Sequence, residues 1–148
     1  MNADAKAETQ SISMEYDLPH PPEKVWRALT EPELLAAWLM ATDMLPLVGH
    51  SFTFKSEPTP WWDGIVHCEV LEIDLHKRLR YSWQSGPESS RLDTVVTWTL
   101  TPTPSGGTRL ALQHSGFLPA NAFAFNGASE GWRRMVGERL RKVLAQTA

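Results

Sequence analysis

The stretch ASEGWRRMVGERLRKVL, residues 128–144, predicts one long amphipathic helix near the end of the chain. Trp132, Val136, Leu140 and Val143 recur at spacings of four, four and three residues, so they share one helical face. Arginines in the same stretch occupy the remaining surface. A helix with one apolar stripe must bury that stripe against another layer. The preceding residues therefore have to supply a covering surface.

That covering surface is predicted to be an antiparallel β-sheet, because alternating apolar and polar residues precede the helix. Apolar residues occupy every second position from Ile12 to Leu18, which predicts the first strand. Five further strands are predicted at about residues 51–56, 64–73, 79–83, 92–100 and 108–114. The apolar parity changes within the second of these five, which predicts a β-bulge or bend there. We therefore expect a curved sheet of about six strands in an α+β protein.

Two short helices are predicted between the first two strands. Pro22 can open a helix that runs through Leu29, since proline is tolerated in a first helical turn. The sequence from Thr30 to Glu33 fits a capping box, with Thr30 as the cap of a second helix over residues 32–39.

Length and charge narrow the class of protein. The chain has 148 residues and a net charge of −3, so we expect one domain at residues 11–148 after a disordered tail at 1–10. It lacks the basic run of a nucleic-acid binder, an apolar run of the ~20 residues that span a bilayer, and a secretory signal. The single cysteine, Cys68, fits a reducing compartment. A cytoplasmic monomer or homodimer is expected.

A family resemblance is carried by four segments, PPEKVWRALTEPELLAAWL, VLEIDLHKRLRYSW, GGTRLALQHSGF and the GW pair that opens the last helix. Together they resemble the activator of heat-shock-protein-90 ATPase homologue-like family. That family belongs to the START-like, birch-pollen-allergen-type superfamily, also called SRPBCC. The resemblance extends over about residues 12–144.

The resemblance implies a helix-grip fold, in which a curved sheet clasps the C-terminal helix around a cavity. Members of the superfamily bind lipids, polyketides and other apolar molecules there, so an apolar small-molecule ligand is the first functional expectation. The second is a co-chaperone-like regulator that binds a heat-shock chaperone ATPase. The chain is too short to include the separate chaperone-binding domain of the eukaryotic activators, which weighs against this alternative. No cofactor is implied.

Large apolar residues at the expected contact between sheet and helix are the candidate cavity residues. Core packing is the alternative explanation for each of them. By parity His114 should point toward the helix, either as the polar anchor of a ligand or as a core histidine with a backbone partner. Phe117, Phe123 and Phe125 crowd the segment before the last helix, where they could form a pocket lid or a partner surface or fold back onto the core. The full set of candidates is Trp61, Trp62, Trp83, Trp98, His114, Phe117, Phe123, Trp132 and Val136.

The loop EPTPWWDG, residues 57–64, contains two adjacent tryptophans. Neighbouring residues of an extended chain point in opposite directions, so only one of them can easily face a cavity. Parity with Val66 favours Trp62 over Trp61 as the inward residue.

A cavity-based enzyme, such as a cyclase or hydrolase, is the third and less favoured alternative. His67 and Glu69 alternate on one side of a strand and could act as a general acid–base pair, with His114 as a further candidate. Exposure on the outer face of the sheet is the other explanation for the first two. Cys68 points to the opposite side of the strand, so no metal site is expected.

Overall fold

A computed structural model describes residues 9–60, 62–86 and 91–148 of the chain. Helices and strands follow one another in the order that the sequence predicts. The elements are β1 (Gln10–Leu18), α1 (Pro22–Thr30), α2 (Pro32–Trp38), β2 (Ala41–Thr42), β3 (Ser51–Lys55), β4 (Ile65–Asp74), β5 (Arg78–Ser85), β6 (Leu92–Pro102), β7 (Thr108–Phe117), a 3₁₀ turn (Pro119–Asn121), α3 (Ala122–Arg134), a π-helical segment (Met135–Leu140) and α4 (Arg141–Gln146). The last three elements are continuous and are called the C-terminal helix.

The strands form one antiparallel sheet in the order β1-β7-β6-β5-β4-β3-β2. Along β6 every second residue from Leu92 to Leu100 is buried, while those between are more exposed, so one face of the sheet packs on the C-terminal helix. The predicted α+β helix-grip architecture is therefore confirmed. The sheet has seven strands rather than about six, because the two-residue β2 is too short to show an alternating pattern.

The predicted bulge lies in β4. The pairing of β4 with β5 shifts register between Val70 and Glu72. Val66 and Val70 are buried on the helix side, Leu71 within the shift is 42% exposed, and beyond the shift the odd-numbered Ile73 packs against the core. One extra residue in one strand reverses the sides to which the following residues point and bends the strand. This bend contributes to the curvature of the sheet around the helix.

The short helices are present, but the predicted capping box is wrong. Thr30 is still the last residue of α1, and its hydroxyl donates a 2.9 Å hydrogen bond to the Trp26 carbonyl one turn earlier. Glu31 alone separates the two helices, and it precedes α2 without a side-chain cap. Instead, the Trp38 indole nitrogen donates a 2.8 Å bond to the Ala28 carbonyl and fixes α2 against α1.

The C-terminal helix begins six residues earlier than predicted, at Ala122 rather than Ala128. Asn126 and Gly127 are poor helix formers, and for that reason the sequence places the start after them. Tertiary packing overrides this preference, because Phe125 packs against Phe117 of β7 with ring centroids 5.2 Å apart. Among the described residues, no helix is both long enough and apolar enough to cross a membrane.

Candidate functional site

The candidate site lies at one end of the sheet, which we call the loop end. Here β3 connects to β4, β5 connects to β6, and β7 leads into α3. This end is marked near one edge of the sheet by the pairing of Lys55 with Ile65 and at the other edge by the pairing of Gln10 with Phe117. Six strands, the connecting segments and the start of the C-terminal helix therefore converge there.

An aromatic cluster joins the sheet to the C-terminal helix below the loop end. The Trp132 ring of α3 lies 5.4 Å from the ring of Trp83 and 5.5 Å from that of Trp98, between centroids. The His114 ring of β7 lies 5.4 Å from Trp83 and 4.6 Å from Phe117. The rings are tilted or edge-on, the arrangements that aromatic quadrupoles favour. The structure thus brings together five of the nine candidate residues.

His114 is held by two side-chain hydrogen bonds inside this cluster. The Trp132 indole nitrogen donates to Nδ1 of His114 over 3.0 Å, and Nε2 of His114 lies 2.8 Å from the Thr94 hydroxyl. Indole nitrogen is a donor only, so Nδ1 must accept and the proton of the neutral ring resides on Nε2. That Nε2–H donates to Thr94, whose hydroxyl donates to the Trp83 carbonyl over 2.9 Å. His114 therefore faces the helix, but it has side-chain rather than backbone partners.

Both nitrogens of His114 are engaged within the protein, and the ring is fully buried. Burial lowers its pKa to about 3, because the surrounding apolar and aromatic groups cannot replace the hydration of an imidazolium ion. The neutral form is also the only form that can accept the Trp132 hydrogen bond. In this closed arrangement His114 orients two tryptophans and has no nitrogen left over for a ligand.

The deeper candidates have no free space beside them. Trp98 and Val136 have no exposed surface, and Trp132 is 2% exposed. Close-packed neighbours therefore surround these side chains. A ligand that contacts them has to displace other side chains first. Their role as ligand-binding residues stays a prediction.

The tryptophan loop lies at the loop end and is anchored at several points. Thr59 and Trp62 exchange two backbone hydrogen bonds across a tight turn, and Ser56 donates to the Gly64 carbonyl over 2.8 Å. Gly64 has a φ of +81°, and a Cβ there would lie 2.4 Å from the Ser56 oxygen, so only glycine fits. Trp62 is half-buried against the core. Trp61 lies outside the described residues, so the comparison of the two indoles stays open.

The three phenylalanines near the start of the C-terminal helix have different environments. Phe117 is fully buried and Phe125 is half-buried beside it, whereas Phe123 is 82% exposed. Among the candidates, Phe117 therefore belongs to the aromatic cluster and Phe123 lies outside it on the surface.

The residues proposed for acid–base chemistry do not converge. His67 and Glu69 are exposed on the outer face of the sheet, in a shallow hollow of about 340 Å³ lined also by Asp43 and Gln84. His114 lies on the other side of the sheet, inside the closed cluster. Within residues 9–60, 62–86 and 91–148, no three His, Cys, Asp or Glu side chains are grouped as metal ligands. The enzymatic alternative thus lacks an acid–base pair between sheet and helix in the described part of the chain.

The candidate set predicted from the sequence omits two residues of this region. Thr94 connects His114 to β5, and Phe125 covers Phe117. Thr94 shares its parity with Val96 and Trp98, so the alternation of β6 was a signal that could have indicated its inward direction. Phe125 stands in the phenylalanine-rich segment ahead of the predicted helix, for which a pocket lid, a partner surface and packing back onto the core were all open explanations.

Comparison with known proteins assigns the chain to a family. A sequence model described as Activator of Hsp90 ATPase homolog 1-like protein matches residues 19–145. The chain belongs to this family. The matched range extends from the end of β1 to α4 and includes the aromatic cluster. The resemblance expected from the sequence is thereby confirmed. None of the curated proteins matches the chain.

Solved structures extend the comparison of this Activator of Hsp90 ATPase homolog 1-like chain. Protein MLL2253 from Mesorhizobium loti is 41% identical, with 94% of this chain and 99% of that chain covered and a TM-score of 0.86. Protein BH1534 from Bacillus halodurans is 28% identical, with 91% and 96% covered and a TM-score of 0.73. DynU16, a protein in the dynemicin biosynthetic locus, is 26% identical with a TM-score of 0.73, and the match covers 91% of this chain but 47% of DynU16.

Proposed function

We propose that the protein binds an apolar small molecule, such as a lipid, a polyketide or an aromatic compound, at the loop end of the sheet. The observation that carries the proposal is the incomplete burial of large apolar side chains where the loops meet the helix. Trp62 and Phe125 are half-buried there, and Leu118 and Phe123 are exposed. Apolar surface of this kind commonly marks a binding site. The dynemicin locus of DynU16 adds a relative from a setting of small-molecule biosynthesis.

The route into the site is proposed to start at Phe125. Its ring covers Phe117, which in turn contacts His114 at 4.6 Å. α3 begins at Ala122 without a side-chain cap, and an uncapped first turn opens more easily than the middle of a helix. Withdrawal of this turn would uncover Phe117 and the edge of the aromatic cluster. An apolar ligand would then replace the Phe125 ring, so that the protein exchanges one aromatic contact for another.

Indole NMR resonances provide a direct test. We would titrate dodecanoic acid, naringenin and 2-acetylnaphthalene into ¹⁵N-labelled protein, with each indole assigned through a Trp→Phe variant. Trp26 is an internal control, because it packs against His76 of the β4–β5 turn at the opposite end of the sheet. We expect saturable shifts at Trp62, Trp83 and Trp132, with Trp26 unchanged. No saturable shift with any probe, or equal shifts at Trp26, would contradict the proposal.

A second candidate function is binding to a chaperone ATPase, as the family description suggests. One surface favours it: Leu45, Leu47 and Val48, which are 49–66% exposed between β2 and β3. The test is the ATPase rate of a bacterial Hsp90 homologue with the wild-type protein and with Leu47→Asp/Val48→Asp. We expect stimulation that the double variant loses, with Phe123→Asp as a matched exposed control. An unchanged rate and no complex would dismiss this candidate.

A further inference from the structure

Buried indole N–H groups of this protein have well-defined partners. The Trp38 nitrogen donates to the Ala28 carbonyl over 2.8 Å. The nitrogens of Trp98 and Trp132 donate over 3.0 Å, to the Tyr81 hydroxyl and to Nδ1 of His114. An indole nitrogen can only donate, so a buried tryptophan requires an acceptor.

Trp62 is the exception. Its Nε1 is buried without a hydrogen-bond partner, and it is the one such buried side-chain nitrogen or oxygen in the described part of the chain. A buried donor without an acceptor incurs the full desolvation penalty of the N–H group, and folded proteins leave few of them. An unpaired donor of this kind requires an explanation.

Loose packing of the loop does not account for the unpaired nitrogen of Trp62. Thr59 and Trp62 are joined by two backbone bonds, and the Asp63 carboxylate accepts the Ile65 amide over 3.1 Å. Gly64 then closes the loop against Ser56. These contacts fix the backbone on both sides of Trp62, and its indole packs against the core.

We infer that the ligand of the loop end carries an oxygen acceptor, such as a ketone, ester, ether or carboxylate, which takes the Trp62 indole N–H. The inference rests on the proposed function. It narrows the expected ligand from any apolar molecule to one that carries a hydrogen-bond acceptor next to its apolar part. A buried water would serve less well. It typically needs about three polar partners, and no second buried side-chain nitrogen or oxygen is unpaired among the described residues, so backbone groups would have to supply the other contacts. His114 cannot provide the polar contact, since both of its nitrogens are already engaged.

Matched probes separate the acceptor from the apolar body. 2-Acetylnaphthalene and 2-isopropenylnaphthalene have nearly the same shape, but only the ketone accepts a hydrogen bond; 9-fluorenone and fluorene form a larger pair. Affinities would be measured by calorimetry for the wild type and for Trp62→Phe, which keeps an aromatic ring but removes the N–H. Trp26→Phe, at the opposite end of the sheet, is the matched control.

We expect the wild type to favour each ketone over its hydrocarbon by about five- to tenfold, the range of one hydrogen bond. Trp62→Phe should reduce this ratio to about one, whereas Trp26→Phe should leave it unchanged. The wild-type Trp62 indole proton should also move downfield with the ketone alone, a readout that does not depend on the folding of any variant.

The outcomes distinguish this inference from the proposed function. Equal binding of ketone and hydrocarbon, with no downfield shift at Trp62, would overturn the acceptor but leave apolar ligand binding intact. A ketone preference that survives in Trp62→Phe would also overturn it. Failure of all four probes to bind would overturn both.

Discussion

The Trp132 indole nitrogen and the Nδ1 atom of His114 are 3.0 Å apart and join the C-terminal helix to the sheet through a buried polar contact. With Thr94 they form a chain of hydrogen bonds that ends on the Trp83 carbonyl. Every polar atom in this chain has a partner of fixed direction. The contact therefore specifies how the aromatic rings are arranged as well as how strongly they pack.

The first prediction concerns the stability of this chain. His114→Leu leaves the Trp132 N–H without an acceptor, and Thr94→Val leaves the His114 Nε2–H without an acceptor. Each change should lower the free energy of unfolding by about 2–3 kcal/mol, the usual cost of a buried unpaired group. Urea denaturation would measure both.

The double variant gives the control. Because the His114 penalty in Thr94→Val disappears once the imidazole is gone, the double variant should lose about 1 kcal/mol less than the sum of the single variants. Thr97 lies three residues after Thr94 on the other face of β6. Thr97→Val should leave the free energy of unfolding nearly unchanged. Strictly additive losses would contradict the proposed chain.

The second prediction is a pH dependence. The folded state holds the pKa of His114 at about 3, below the unfolded value near 6.5. Between these values the unfolded chain binds more protons, so stability rises with pH by about 1.4 kcal/mol per unit. The stability that depends on neutral His114 is thus fully present above pH 6.5 and is lost as the pH falls toward 3. Urea denaturation between pH 4 and 7 would record the slope.

Surface carboxylates also make the stability depend on pH in this acid range, and a variant separates their effect from that of His114. The pKa of Asp17 is lowered by its hydrogen bond to Arg109, and that of Asp43 by a hydrogen bond from the Thr53 backbone amide. His114→Gln retains these groups but has no imidazole. Its stability should therefore depend less steeply on pH between 4 and 6.5. A slope equal to that of the wild type would show that His114 does not titrate as the structure indicates.

The third prediction compares two glycines. Gly64 and Gly106 have φ values of +81° and +88°, but a Cβ at Gly64 would lie 2.4 Å from the Ser56 oxygen, while nothing lies within 4 Å at Gly106. Gly106→Ala should cost about 1 kcal/mol for the backbone conformation alone. Gly64→Ala should cost at least about 2 kcal/mol more. It should also move the Trp62 indole resonance, which Gly106→Ala leaves in place; equal effects of the two variants would contradict the tight closure of the loop.

The fourth prediction compares two phenylalanines of α3. Phe125→Ala removes the ring that packs on Phe117, so it should lower stability by about 1–3 kcal/mol. Phe123→Ala should change it by less than about 0.5 kcal/mol, since the side chain is mostly in solvent. Thermal unfolding measured side by side would test this. A loss at Phe123 as large as at Phe125 would indicate a contact that the structure lacks.

Periodicity explains how much of the fold the sequence could predict. Alternation along β6 and the parity change in β4 are local patterns, and both gave the correct side of the sheet. The capping of α2 was mispredicted because Thr30 can bond either forward as a cap or backward as the end of α1. Only the packing of Trp38 on Ala28 decides between the two, and that contact joins different helices.

The site was less predictable, because its chemistry depends on partners far apart in the chain. Parity placed His114 inside, but its bond to Thr94 spans 20 residues and its bond to Trp132 spans 18. These pairings need the strand register and the helix rotation, which no local pattern contains. The unpaired nitrogen of Trp62 is likewise a property of the assembled loop.

The π-helical segment has a consequence for the whole grip. Trp132, Val136, Leu140 and Leu144 are all buried, at a constant spacing of four residues. At 3.6 residues per turn, each step of four would rotate by about 40°, so an ideal helix would turn its last member some 120° away from its first. The wider turns of Met135–Leu140 compensate for this rotation. Deletion of one residue from this segment would therefore rotate one half of the helix relative to the other. Either the half with Trp132, which carries the site, or the half with Leu140 and Leu144 would then lose its packing.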